Sequence, residues 1–273
     1  MDTTALLARI ADALDRLAPP PPAPADPNSS DSFVWESGRL RAIAPPAVQP
    51  LARLIGIDTA KAALLANTDR HAQGLPAHDV LLWGSRGMGK SSLVRSVHRE
   101  LGPTKLGLVQ LARDDIGSLP ALFRQLDGVE RRFLIFADDL SFEADEHQYK
   151  ALRSVLDGGI EARPDNVRIV VTSNRRHLIA REHADAEVAA AVNARDLLDD
   201  RLALADRFGL SLGFHNCDQP TYLAMVHGYA EAYRLAVDDG AAVAWALTRG
   251  NRSGRVAWQY FQEVAGAAGV TLG

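Results

Sequence analysis

The apolar run from Val80 to Trp83 leads directly into GSRGMGKS at residues 84–91, and helical periodicity follows. A GxxxxGKS pattern between a strand and a helix leaves a chain few folds to adopt, because the loop must present its backbone to phosphate. Gly84, Gly87 and Gly89 let the backbone bend around oxygen atoms, while successive amide hydrogens and the helix N-terminus face the negative charge. Lys90 adds a point charge at the β and γ phosphates. Ser91 offers a hydroxyl to Mg²⁺, a cation that takes substrate phosphates and one or two carboxylates rather than an all-protein cage. The binding set runs through Gly84, Ser85, Arg86, Gly87, Met88, Gly89, Lys90, Ser91 and Ser92. It implies a nucleoside triphosphate.

At 273 residues the chain exceeds the usual single-core length of about 100 to 200, which allows one large domain or two small ones. Hydrophobic residues make up 47%, yet no apolar run approaches the roughly 18 residues of a membrane span. The N-terminus has no basic segment followed by an uninterrupted apolar stretch, so no secretory signal is expected and the expected location is the cytoplasm. Cys217 is the sole cysteine and has no internal disulfide partner; a buried structural thiol is the expectation. A net charge of -4 supplies no overall drive toward nucleic acid, although a local basic patch stays open.

Composition divides the chain. In residues 1–18, Leu6, Leu7, Ile10, Leu14 and Leu17 recur at helical spacing and predict one amphipathic helix, whose stripe must find a partner in the main domain, in another copy or in a client. Residues 19–32 are proline-rich and predict an extended, solvated linker. From there to about residue 215, helices alternate with short, nearly all-apolar strands, as a parallel sheet covered on both faces requires. The strands are read at Asp79 to Trp83, Leu106 to Leu111, Phe133 to Ala137, Val167 to Thr172 and Leu210 to Phe214. Residues 216–273 carry three helical patterns and predict a small helical lid. The alanine-rich, charged stretch at 181–200 has no assigned role.

The run FLIFA ends in Asp138 and Asp139, so both carboxylates emerge at the C-terminal sheet edge where ligands of open α/β sheets collect. Asp138 is assigned to the metal and Asp139 to the attacking water, with Glu143 a competitor for the second role. The next strand ends at Thr172, Ser173 and Asn174; a neutral amide there can hydrogen-bond the γ phosphate or the water, which makes Asn174 a sensor candidate. Arg175 and Arg176 follow, with phosphate, a neighbouring subunit and solvent all open to them.

The ordered set GSRGMGKS, FLIFADDLSFE, VVTSNRRHL, DDRLALADRFGL and NRSGRVA resembles the AAA+ ATPases, and among them a bacterial family of ATP-binding proteins of unknown function. The resemblance covers most of residues 35–270. It implies a P-loop NTPase three-layer sandwich with a parallel five-stranded core sheet in the order 5-1-4-3-2, followed by the lid. It implies that Arg207 is an arginine finger given to the ATP of an adjacent subunit, with Arg201 a second candidate, and that Arg255 is a lid arginine reaching the γ phosphate in its own chain. Ile55 and Ile57 lie where related chains pack on adenine. Many relatives carry Asp-Glu after the acidic strand, whereas Asp138-Asp139 retracts the second carboxylate by one methylene. No guanine-reading Asn-Lys-x-Asp stretch is present, which favours ATP.

The expectation is therefore a Mg²⁺-dependent ATPase, a homo-oligomer with shared sites, that couples ATP hydrolysis to conformational change in an unidentified macromolecular client. The alternatives are a slow or non-hydrolysing nucleotide-gated adaptor and a DNA-associated loader.

Overall fold

The apolar runs pair into one sheet. The computed structural model describes residues 23–102, 106–140, 146–156, 163–174 and 205–272, with residues 3, 4, 7, 9, 10, 13 and 16. Glu143, Arg175, Arg176, Arg201 and the 181–200 stretch lie outside the described residues. Strands β1 (Ser32–Glu36), β2 (Arg39–Ile43), β3 (Val80–Gly84), β4 (Leu106–Leu111), β5 (Arg132–Ala137), β6 (Val167–Ser173) and β7 (Leu210–Phe214) align as β2-β1-β4-β5-β6-β3-β7. All neighbours are parallel except β1 and β2. Counting only the five strands from β3 to β7 in chain order gives 5-1-4-3-2, the order the resemblance implies.

Alternation along each strand splits the core between two faces, since successive side chains point oppositely. Leu82, Phe136, Val170 and Phe214 join one buried cluster with Leu64 of α1 (Asp58–Ala72) and Leu93 and Val97 of α2 (Lys90–Leu101). The helices α5 (Gln219–Tyr233), α6 (Asp239–Thr248) and α7 (Gly254–Ala267) enter the same cluster through Tyr222, Ala242 and Phe261. Leu81, Phe133, Ile135, Ile169 and Val171 face the other way, onto α3 (Leu119–Leu126) and α4 (Glu146–Leu156) through Leu122 and Leu152. Caps fix where the last three helices begin: Asp218 accepts from the Thr221 N–H at 2.9 Å, Asp238 from Ala241 at 2.6 Å and Ser253 from Val256 at 3.4 Å.

Two expectations are corrected. No strand is read ahead of Asp79, yet β1 and β2 form a hairpin whose two-residue turn, Ser37-Gly38, holds φ of 51° and 72°. That turn suits the twist of a hairpin, and Phe33, Trp35 and Leu40 bury against the second cluster. The linker is also less solvated than its prolines imply. Ala25 donates its N–H to Leu40 O at 2.8 Å, and the buried Arg131 guanidinium donates to Pro27 O, Ser30 O and Asp31. The N-terminal positions that are described are helical, with Leu7 61% and Ile10 54% exposed.

Two buried histidines tie helices to strands. His71 meets Phe133 O at 3.1 Å and His98 meets Leu106 O at 2.9 Å, and burial pushes the His71 pKa down to about 4. Each ring is therefore a neutral N–H donor at neutral pH.

Candidate nucleotide site

The loop between β3 and α2 sits at the C-terminal edge of the sheet. Gly84 adopts φ 117°, and a side-chain carbon there would stand 2.1 Å from Phe214 O, so the close approach of the loop to β7 requires glycine. Ser85 N–H donates to that same Phe214 carbonyl at 2.7 Å. Gly89, with φ 90°, ends the loop and starts α2.

Lys90 is only 6% exposed. Its Nζ donates to Gly84 O at 2.8 Å, Ser85 O at 2.9 Å and Asn174 Oδ1 at 2.9 Å. Desolvation lowers its pKa from 10.5 to about 8, against the raising effect of Asp139 and Asp138; Arg255 and Arg86 lower it further. A lysine held this way is a buried cation whose direct hydrogen-bond partners are all neutral oxygens.

Ser91 Oγ donates to Asp138 Oδ1 at 2.6 Å, and Thr172 Oγ1 donates to the same oxygen at 2.7 Å. Arg95 donates to Asp138 Oδ2 at 3.3 Å. Asp139 turns away from β5 in the left-handed region, φ 54°. Its N–H donates to Thr172 Oγ1 at 2.8 Å, its carbonyl accepts from Arg113, and its carboxylate accepts from the Asn174 amide. One amide thus links Lys90 to Asp139.

These groups line one end of a cavity of about 540 Å³. Apolar and aromatic side chains line the same cavity, Leu54, Ile55, Ile57, Met225, Tyr229 and Trp258, together with Gln49 and Arg53. Tyr229 and Trp258 meet edge to face with ring centres 4.9 Å apart. Arg255 also lines the cavity, and its backbone N–H donates to Gly87 O at 3.0 Å, so α7 begins on the loop itself.

The structure brings together Gly87, Met88, Gly89, Lys90, Ser91, Ser92, Asp138, Asp139, Asn174, Arg255, Ile55 and Ile57 around this cavity. Gly84 and Ser85 are not part of the lining but hold Lys90 through their carbonyls, and Arg86 is exposed. Arg207 is elsewhere. It precedes β7, whose Leu210 pairs with Val80 at the start of β3, so it stands at the opposite end of the strands from Gly84. Five strand residues span about 16 Å, which keeps Arg207 away from the cavity of its own chain.

Residue patterns did not single out Arg95, Arg113, Thr172, Met225, Tyr229 or Trp258. Met225 and Tyr229 are spaced four apart on α5, a spacing indistinguishable from ordinary core. Arg95 is likewise five residues past Lys90, where a helix surface charge raises no signal.

Sheet order, loop and helical C-terminal part together define the AAA+ P-loop fold. Solved structures agree: Aeropyrum pernix Orc1 in complex with DNA has a TM-score of 0.56 at 15% identity, covering 81% of this chain and 65% of that one. Two Thermotoga maritima RuvB variants are also similar. An arginine-to-alanine form has a TM-score of 0.52 at 19% identity, covering 81% of this chain and 66% of that one. An alanine-to-serine form has a TM-score of 0.51 at 20% identity, with 83% and 68% covered. The chain thus spans about two thirds of the length of these neighbours. It belongs to the family described as Protein of unknown function (DUF815), which matches residues 28–268. No curated protein matches the sequence. Among the described residues no helix is long and apolar enough to cross a membrane.

Proposed function

We propose that this chain is an ATPase that binds Mg²⁺-ATP in the cavity above residues 84–92, with phosphates at the Lys90 end and adenine among Ile55, Ile57, Tyr229 and Trp258. The carrying observation is the buried Lys90 ammonium in a cavity also lined by apolar and aromatic side chains. The donor set suits the ligand. The Ser91 hydroxyl donates a hydrogen bond to Asp138, which keeps its oxygen lone pairs available, and hard cations of the Mg²⁺ type take such oxygen donors. Ser91 and Asp138 would hold such a cation, which would supply neutralising charge to the phosphates.

The residues divide the work. Lys90 holds phosphate oxygens, exchanging a loop carbonyl or Asn174 for them. Asn174 keeps Asp139 in reach of the loop, and Asp139 accepts the proton of the attacking water. Arg255 stands on the lid side, where residues 216–273 act as a lid on the 33–215 core and its position reports occupancy of the cavity. Arg207, at the far end of the sheet, serves the cavity of a second copy, which makes the active form a homo-oligomer. An arginine so placed is worth on the order of 10³ to 10⁵ in rate.

Phosphate release measured across a wide range of protein concentration tests this reading. Turnover per chain that rises with concentration, and that is lost in Arg207→Ala but regained on mixing with Lys90→Ala chains, is the expected result. Turnover independent of concentration and of Arg207 refutes the shared site.

A second reading, a slow nucleotide-gated switch, is favoured by one observation: the Asp139 carboxylate is engaged by Asn174 and is one methylene short. It predicts tight ATP binding with little turnover. The Orc1 neighbour was solved with DNA, but the net charge of -4 gives this chain no general attraction to a polyanion.

A further inference from the structure

We propose that Arg95 is a positioning residue that serves as the standing counter-ion of Asp138, so that the site accepts nucleotide before metal; the inference rests on the ATP-site reading above. Asp138 uses its two oxygens differently. Oδ1 accepts from the Ser91 and Thr172 hydroxyls, neutral partners that a cation can displace, whereas Oδ2 accepts from Arg95. The Arg95 guanidinium also lies over the Phe136 ring, 5.6 Å from its centre, which fixes the fork from the sheet side. Side chains of Arg95 and Asp138 are 29% and 25% exposed, so the pair is only partly screened by water.

The charge balance gives this contact its consequence. Asp138 and Asp139 end the same strand, with Lys90 the buried cation beside them. Without Arg95, Asp138 would lose its direct ion pair and the lining would keep Lys90, Arg53 and Arg255 as its cations, so an incoming polyphosphate would meet one positive charge fewer beside the two carboxylates unless a divalent cation came with it. With Arg95 in place, Asp138 is neutralised through Oδ2 while Oδ1 keeps its hydroxyl partners. The empty site then has little attraction for a free divalent cation and little repulsion for metal-free nucleotide. Arginine suits the task, since one guanidinium nitrogen reaches the carboxylate while the planar group lies over the ring, which an ammonium does less well.

The test reads binding rather than turnover. ATP is titrated into wild type, Arg95→Gln and Arg95→Lys, each with Mg²⁺ and with EDTA, and Mn²⁺ alone is titrated into the nucleotide-free proteins. Arg95→Gln is expected to lose about tenfold or more in ATP affinity in EDTA, to recover with Mg²⁺, and to gain about tenfold in Mn²⁺ affinity. Arg95→Lys is expected to stay within about threefold of wild type in EDTA. In an Asp138→Asn background, Arg95→Gln should change EDTA binding by less than about twofold. Equal loss in both backgrounds, or unchanged EDTA and Mn²⁺ binding, overturns the proposal. If Arg95→Gln does not fold, the lysine variant decides, and loss of EDTA binding there refutes the counter-ion role. Wild type that binds no ATP under either condition would instead sink the ATP-site reading.

Discussion

The two ends of the cavity are built by different means. The phosphate end comes from one continuous loop and the tips of two strands, and its polar atoms are held by short hydrogen bonds: Lys90 to three oxygens, Ser91 and Thr172 to Asp138. The apolar end is assembled from side chains far apart in sequence, Ile55 and Ile57 beside Met225, Tyr229 and Trp258, held by packing. Charge chemistry tolerates little displacement, so it is encoded locally and rigidly. Apolar contact is non-directional and can be gathered from several elements.

Substitutions should separate the ends. Asp139→Asn acts mainly on chemistry, with a fall in turnover of about 10² to 10⁴ and ATP affinity in Mg²⁺ within about threefold of wild type expected in paired phosphate-release and calorimetric assays. Retained turnover would shift the base role to another group such as Glu143.

Acid–base behaviour isolates Lys90. Its folded pKa, about 8, lies below the ordinary 10.5, so between those values the unfolded chain binds the extra proton. The Lys90 contribution to the stability of the nucleotide-free protein should therefore rise as pH climbs from about 8 to 10.5, by on the order of 100-fold in the unfolding constant. Denaturant unfolding of wild type and Lys90→Met across this range checks this: the difference between the two curves should carry that rise, since Cys217, Tyr222 and Tyr229, whose pKa values burial raises, act equally on both. Saturating ATP should flatten that rise, because phosphate charge raises the lysine again.

The apolar end gives the smallest effect. Tyr229→Ala or Trp258→Ala should weaken ATP by about tenfold while leaving its Mg²⁺ dependence unchanged. A changed metal dependence would show that the two ends are not separable. Adenosine should lose the same factor as ATP in these variants.

That division also explains what the sequence disclosed. GSRGMGKS, Asp138-Asp139 and Asn174 were readable because loop chemistry and strand ends are contiguous in the chain, and the sheet order followed from the resemblance. The hairpin was missed: SFVWE and RLRAI flank Ser37-Gly38, but with mixed polar residues the alternation was too weak to mark strands. Tyr229 and Trp258 were not legible, since nothing distinguishes an aromatic lining a cavity from one filling a core. Arg95 gained significance only when α2 was laid beside β5, which set it against Asp138 and Phe136. The place of Arg207 at the far end of the sheet required the parallel register of β3 with β7.

The most direct measurement is calorimetric titration of ATP and of adenosine, with Mg²⁺, into wild type and Lys90→Ala. ATP affinity should fall by about 100-fold or more in the variant while adenosine affinity stays the same, because the lysine serves only the phosphate end. Equal ATP affinity in the two proteins would contradict a phosphate site at Lys90.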